Sequence, residues 1–387
     1  MKKILFLPSW YPTTENPIYG SFFREQAELL SAKYDVKVLA VSAPKYKFKE
    51  LVSKVLKQGG LARDITSLAI MPPECRMFEF AQPNKRWQGR LTYLLHYKFL
   101  CKQLDLITER GWLPDIIHAH SIYGSGLFVH ELAKHCGAKS VMTEHCPFSL
   151  NGLPYRYQKK ALKILQNVDQ LVSVSEHLAR MIFGHGVERS IDICGNWVDE
   201  KSFVPSDQKH RKFTFINVAS HPMFIKGTRL LFEALSLLGS PWLGGVQFVV
   251  ICGNESNKQL YRQWAGEYGV EDSIVFEGMI DREKMPDYVA RCHSYISTSY
   301  AETFGVAIRE AMMCGLPVVS VDCGGIDREI FDKNGIVTPL GDANALALAI
   351  KKMMRNYEGF SAAEIRHLCI ENHGSAAFVK KIDSIYS

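Results

Sequence analysis

Short apolar runs alternate with longer amphipathic stretches along nearly the whole chain. Lys3–Pro8, 36–41, 115–119, 140–143 and Gln170–Ser173 are dominated by Ile, Leu, Val and Ala, with little of the polar alternation of a half-exposed strand. Such runs suit strands buried on both faces of a parallel sheet. Between them, 20–33 and 125–136 carry apolar residues at helical spacing. A second series follows: Phe213–Val218, 246–252, 274–276, 295–298, Val318–Val321 and 335–337, with a helix predicted over 228–238 after its first strand. Strand and helix alternating in this way predict doubly wound α/β domains. The turn-rich segment from Gly195 to Pro205 interrupts the alternation and places a hinge near Trp197. The pattern divides into a first domain of residues 1–197, a second of 198–371 and a C-terminal segment of 372–387, helical over Ser375–Tyr386.

A chain of 387 residues exceeds one ordinary core, which agrees with two domains. Apolar residues make up 47% and charged residues 22%, the balance of a soluble globular protein. No window offers the roughly 20 apolar residues of a membrane span, and Met1-Lys-Lys leads directly into a strand, so a cytoplasmic location is expected. Ten cysteines without a Cys-x-x-Cys pair indicate neither a disulfide framework nor a zinc site. His135-Cys136 and His145-Cys146 read as buried thiols beside histidines, since adjacent residues seldom ligate one metal.

The net charge of +6 belongs to the first half. Lys45, Lys47, Lys49, Lys54, Lys57 and Arg63 are threaded by Phe48, Leu51, Val52, Val55 and Leu56. Lys85, Arg86 and Arg90 run into Leu91, Tyr93, Leu94, Leu95, Tyr97 and Phe99. These are basic amphipathic elements that either rest on an anionic membrane face, with Trp87 and the tyrosines at the interface, or pack into their own domain.

The richest chemistry lies in Ser299-Tyr-Ala-Glu302-Thr-Phe304-Gly305-Val306 and the helix that follows to Cys314. Glu302 falls in the loop beyond a strand's carboxyl end, where open α/β sheets bind ligands. Gly305 and Val306 start a helix whose free N–H groups face outward, a site for phosphate oxygens. Glu310, within the helix, offers an acceptor-only carboxylate to hydroxyls flanking those phosphates. Phosphate beside sugar hydroxyls describes a nucleotide-sugar. The dinucleotide fingerprint Gly-x-Gly-x-x-Gly is missing from both halves, against an NAD enzyme. Asp-x-Asp, a metal-diphosphate pair, is missing too, so no metal or cofactor is expected.

The Glu302-x7-Glu310 spacing, followed by Ala-Met-x-Cys-Gly-x-Pro-Val-Val and Gly324-Gly325, resembles the retaining glycosyltransferases of family four. Trp10-Tyr-Pro, Gly20, His118-Ala-His120, Thr143-Glu144-His145, Val174-Ser-Glu, Lys226-Gly227 and the Gly278 loop extend the likeness over nearly the whole chain. The resemblance implies the GT-B fold, two Rossmann-like domains facing across a cleft, with the last helix crossing back to the first domain. It implies a donor site of Gly20, His221, Lys226, Gly253, Met279, Ile280, Glu302, Phe304, Gly305, Val306 and Glu310. Lys226 meets the diphosphate; His221 stands where the family usually has an arginine, a departure that makes affinity weaker or pH-dependent. His120, Glu302 and Lys226 are the implied catalytic residues, and Trp10, Glu144 and His145 lie on the acceptor side, Glu144 and His145 being equally readable as structural residues at a strand end. Gly20 is also readable as a plain helix start, His118 as a satisfied core histidine and Glu329 as a helix-start carboxylate.

The implied reaction moves a hexose from a UDP- or GDP-sugar to a saccharide or polyprenyl-diphosphate-linked acceptor, in cell-surface polysaccharide synthesis at the inner membrane face. No nucleic-acid partner is implied. A GT-B-like nucleotide-sugar epimerase and a non-catalytic nucleotide-sugar-binding protein remain as alternatives.

Overall fold

The computed structural model describes residues 1–42, 44–66, 75–83, 90–109, 111–147, 150, 153, 155–220, 224–326 and 329–387. The chain forms two compact units, Met1–Cys194 together with Lys381–Ser387, and Gly195–Lys380.

Strands of the first unit are β1 (Lys3–Pro8), β2 (Asp35–Ser42), β3 (Lys45–Tyr46), β4 (Ala62–Asp64), β5 (Cys75–Phe80), β6 (Gln82–Pro83), β7 (Ile116–His120), β8 (Lys139–Glu144), β9 (Gln170–Ser173) and β10 (Asp192–Ile193). Eight of them form one sheet in the order β10-β9-β8-β7-β1-β2-β5-β4. It is parallel except for β4, which runs antiparallel to β5. β3 and β6 make a separate two-residue pair. Helices α1 (Ser21–Ser31), α2 (Phe48–Gln58), α3 (Arg90–Thr108), α4 (Val129–Cys136), α5 (Tyr155–Asn167) and α6 (Glu176–Gly184) accompany the sheet.

The second unit contains β11 (Phe213–Val218), β12 (Val246–Ile251), β13 (Ile274–Glu277), β14 (Ser294–Ser297), β15 (Val318–Val321) and β16 (Gly335–Thr338). They form an all-parallel sheet in the order β13-β12-β11-β14-β15-β16. Its helices are α7 (Thr228–Ser236), α8 (Ser240–Leu243), α9 (Glu255–Glu267), α10 (Met285–Ala290), α11 (Val306–Met313), α12 (Ala343–Asn356), α13 (Ala362–His373) and α14 (Ser375–Tyr386), the last of which runs on into the first unit.

Both sheets reverse direction at their first strand. β1 lies between β2 and β7, and β11 between β12 and β14. Loops leaving the carboxyl ends of such neighbours diverge to opposite faces and open a crevice, the usual ligand position in this architecture. The central strands are apolar because both faces are covered: Ile4 to Leu7 and Phe215 to Ile216 are at most 1% exposed.

The basic amphipathic elements are helices with mixed fates. In α3 the later positions Leu100, Leu104 and Ile107 are buried, whereas Leu91, Leu94 and Leu95 stay exposed. In α2, Val52 and Leu56 are exposed, and Lys54 is drawn to Glu79 at 2.9 Å. Lys85, Arg86 and Trp87 lie outside the described residues. No described helix is long and apolar enough to cross a membrane.

Candidate active site

At the crevice of the second sheet, the loops after β11 and β14 are stitched together. The Tyr300 N–H donates to the Ile225 carbonyl at 2.6 Å, and the Thr298 hydroxyl donates to the Lys226 carbonyl at 3.1 Å. Gly227, at φ 59°, has no room for a side chain, because a Cβ would sit 1.9 Å from the Thr298 carbonyl oxygen. This close approach holds Lys226 against the other loop, where its ammonium reaches Glu302 Oε1 at 2.8 Å. Behind Glu302, Gly325 lies so near that a Cβ would be 2.0 Å from the Glu302 carbonyl oxygen. Gly305, at φ 68°, caps the start of α11 without a side-chain hydrogen bond. The geometry is a lysine, a carboxylate and a helix start whose N-cap glycine supplies no side-chain cap.

Glu310 is 4% exposed and pairs with Arg282 Nη1 at 2.5 Å. Arg282, in the loop after β13, was not anticipated, as no periodicity marks a loop arginine. Beneath both carboxylates, burial raises the Tyr295 phenol well above its ordinary range, and Glu302 and Glu310 add to the effect.

Phe304 is buried, its ring centroid 3.8 Å beneath the Arg309 guanidinium. Gly195 leaves the space for it, since a Cβ there would meet Phe304 at 2.3 Å. Arg309 is 0% exposed; it pairs with Glu329 Oε1 and lies 3.0 Å from His373 Nε2, which is 2.8 Å from Glu329 Oε2. Glu329 therefore does not serve as the expected helix-start carboxylate: both its oxygens engage this network. Met279 is exposed and Ile280 buried. At Gly253 the close neighbour is Ser220, whose carbonyl oxygen would stand 2.7 Å from a Cβ. His221 lies outside the described residues.

In the first unit, β7 ends on His120 and the chain turns at once through Ser121, at φ 69°. Both nitrogens of His118 are engaged, by the Tyr386 hydroxyl and by Thr143 Oγ1, each at 2.7 Å. His118 is thus a satisfied core residue. His120 stacks on it at 4.2 Å and places Nδ1 3.0 Å from His145 Nε2. Burial, with His118 and His145 nearby, holds His120 well below the ordinary histidine pKa, so it is neutral. Its buried Nε2 has no hydrogen-bond partner among the described residues, an uncommon state for a polar atom in the interior. Trp10 packs against Gly20, where a Cβ would meet Trp10 Cδ1 at 2.8 Å. The missing side chain at Gly20 is therefore explained by this contact and by φ 82° at the start of α1.

Glu144 is 0% exposed and accepts the Ile122 N–H at 2.6 Å. Burial pushes its pKa up to about 8, against the lowering effect of that hydrogen bond. A carboxyl raised from its ordinary 4.5 keeps its proton in the folded state while the unfolded chain releases it. Folding stability therefore falls as pH rises through the window from 4.5 to about 8. Glu144→Gln is expected to remove this slope and stabilise the protein at pH 8 by on the order of 3 kcal/mol relative to wild type. Urea unfolding at pH 5 and pH 8 checks it; parallel pH responses of the two proteins would contradict it.

The first unit also holds a cavity of about 420 Å³, lined among others by Ser9, Trp10, Lys45, Gln82, Tyr93, His96, Phe128 and Tyr157. Of the residues anticipated on the acceptor side, Trp10 reaches it. Tyr93 and His96 went unrecognised because they sit in a helix whose apolar stripe accounts for them equally well.

Two parallel α/β units carrying such a site define a GT-B glycosyltransferase. Residues 21–202 match Glycosyltransferase Family 4 and residues 198–376 match Glycosyl transferases group 1; the chain belongs to the family-four, group-one glycosyltransferases. It is 26% identical to one subunit of the human phosphatidylinositol N-acetylglucosaminyltransferase over 68% of its length, and spans about half (54%) of that relative. It is 25% identical to the D-inositol 3-phosphate glycosyltransferase of an Arthrobacter species, covering 65% of this chain and 64% of the other. Among solved structures, Anabaena HepE in complex with UDP and glucose superposes with a TM-score of 0.71 at 19% identity, covering 99% of both chains. The lipopolysaccharide outer core galactosyltransferase WaaB gives 0.69 at 17% identity, covering 99% of this chain and 98% of the other.

Proposed function

We propose that the protein transfers a hexosyl unit from a nucleotide-sugar to a saccharide or lipid-linked acceptor, with retention of anomeric configuration. The observation that carries this reading is the Lys226–Glu302 pair at the sheet's switch point, beside the uncapped start of α11. As the donor's anomeric C–O bond breaks, negative charge grows on the β-phosphate, where Lys226 and the Gly305 and Val306 N–H groups stabilise it. The acceptor hydroxyl attacks the anomeric carbon from the departing face and passes its proton to the leaving phosphate oxygen. On donor binding, before the bond breaks, Lys226 exchanges its contact with Glu302 for the phosphate, and Glu302 turns to the sugar's hydroxyls. Glu310, oriented by Arg282, takes the ribose.

No step is assigned to a metal, since the sequence lacks Asp-x-Asp and the lysine with the helix start supplies positive charge. The structural relative bound to UDP favours UDP over GDP as the carrier. Exposed Leu91, Leu94 and Leu95 with Lys98 on α3 support contact with an anionic membrane face, where a lipid-linked acceptor in surface-polysaccharide synthesis is presented.

Thermal shift with UDP-, GDP- and ADP-sugars tests the donor, because selective binding raises the unfolding temperature by mass action. Glu310→Ala is expected to weaken donor binding about ten- to a hundred-fold, the loss of charge-assisted hydrogen bonds worth roughly 1.5–3 kcal/mol. Unchanged calorimetric affinity would remove Glu310 from the donor site. Nucleotide release that requires an added acceptor identifies a transferase; interconverted donor identifies an epimerase; binding without turnover identifies a binding protein.

A further inference from the structure

Arg309 is a cation that the reaction above leaves unused. It belongs to α11 and is fully buried, with its guanidinium stacked 3.8 Å from the centroid of Phe304. Nη2 pairs with Glu329, and Nε lies 3.0 Å from His373 Nε2. Nη1 is also buried and has no hydrogen-bond partner among the described residues. A Cβ at Gly305 would lie 3.8 Å from this nitrogen, so the unpaired end of the guanidinium lies against the glycine that opens α11.

Stability alone is a poor reason for such a residue, because replacing a buried ion pair with apolar side chains is often neutral or stabilising. Its charge is also unevenly balanced. The Arg309 side chain is 1% exposed and that of Glu329 43%, so water screens the carboxylate while the guanidinium acts through the low-dielectric interior. Burial lowers the Arg309 pKa, whereas Glu329 and, more weakly, Glu302 raise it; an arginine keeps its proton across such shifts. Positive potential is therefore left over at the start of α11. The same end carries the positive pole of the helix dipole, and neither a capping side chain nor an acidic residue in the first turn offsets it. The Lys226–Glu302 pair stands in the loops beside it.

We infer that Arg309 is a second cation of the donor site, acting on the donor's diphosphate through the start of α11 without touching it. The inference rests on the transferase reading above and adds to it a residue that no motif in the sequence marks. Lys226 has to leave Glu302 to meet the phosphate, whereas the Arg309 guanidinium is already clamped, so its field needs no rearrangement when the donor arrives. It favours bound and departing diphosphate alike.

Calorimetry on the full chain with UDP, GDP and ADP, and saturation-transfer NMR with the matching nucleosides, test it. At least one diphosphate should bind. Arg309→Met keeps a long side chain over Phe304, removes the charge and leaves Glu329 to water. It should weaken that diphosphate about ten-fold and its nucleoside by less than about two-fold, because only the former carries charge for Arg309 to meet. Arg309→Lys should recover part of the loss, since the charge matters more than the guanidinium fork. Glu329→Gln removes the countercharge but keeps an acceptor for Nη2, and should tighten the diphosphate about two- to three-fold, the opposite of what damage to the fold would do. That arm decides the matter where Arg309→Met fails to fold. The inference is overturned if folded Arg309→Met binds the diphosphate as wild type does, if diphosphate and nucleoside weaken equally, or if Glu329→Gln fails to tighten the diphosphate. Wild type that binds none of the three diphosphates sinks the donor reading. Binding of one, with indifference to both substitutions, sinks this inference alone.

Discussion

Lys226→Ala is expected to lower kcat by about 10²–10³-fold while changing the donor dissociation constant far less, because the charge it meets grows only as the leaving group departs. In the structure the ammonium is held by Glu302 at 2.8 Å, so binding the ground-state donor trades one anionic partner for another and yields little net affinity. Lys226→Arg should recover only part of the rate. The backbone is fixed by Gly227 against Thr298, and a planar guanidinium does not reproduce a point charge there. Steady-state rates beside calorimetric affinities decide the matter: equal losses in both would make Lys226 a uniform binding residue.

Glu329→Ala is expected to cost about 3 kcal/mol at neutral pH, the lower end of the 3–5 kcal/mol for breaking a buried ion pair. The reason is asymmetry of exposure. The Arg309 side chain is 1% exposed and that of Glu329 43%, so water screens the carboxylate, yet its removal strands a guanidinium in the core. Burial would raise the Glu329 carboxyl, but the His373 hydrogen bond and the Arg309 charge outweigh it and hold the pKa at about 2. A carboxyl depressed from its ordinary 4.5 stabilises the fold above that value and loses its contribution as pH falls from there toward 2. The gap between wild type and variant in urea unfolding should therefore narrow from pH 7 to pH 3. A gap that persists undiminished at pH 3 would assign the loss to packing alone.

The alternation of apolar runs and helical stretches was enough to place most strands, because central strands buried on both faces have little choice of composition. β5 escaped notice because Arg76 and Glu79 interrupt its apolar run, and β10 because both its residues are exposed. Motif residues were legible as positions: Gly305 does open α11 and Glu302 does follow β14. Their partners were not. Arg282 reaches Glu310 from a loop with no local pattern, and nothing in the sequence singles out Arg309, which is among the largest fully buried side chains. Neither pairing leaves a trace in one dimension, since each joins segments that only the sheet order brings together.

The first unit is not continuous in sequence, and this bears on how the protein is made. Tyr386 is 1% exposed and closes the hydrogen bond to His118, while Asp383 anchors Lys33 and Tyr34. The segment Gly195–Lys380 intervenes, and at roughly 5–20 residues per second a ribosome needs on the order of ten to forty seconds to complete it. Throughout that interval the nascent first unit waits with Tyr34 and His118 uncovered, a surface for chaperones to shield before the final turns of α14 arrive.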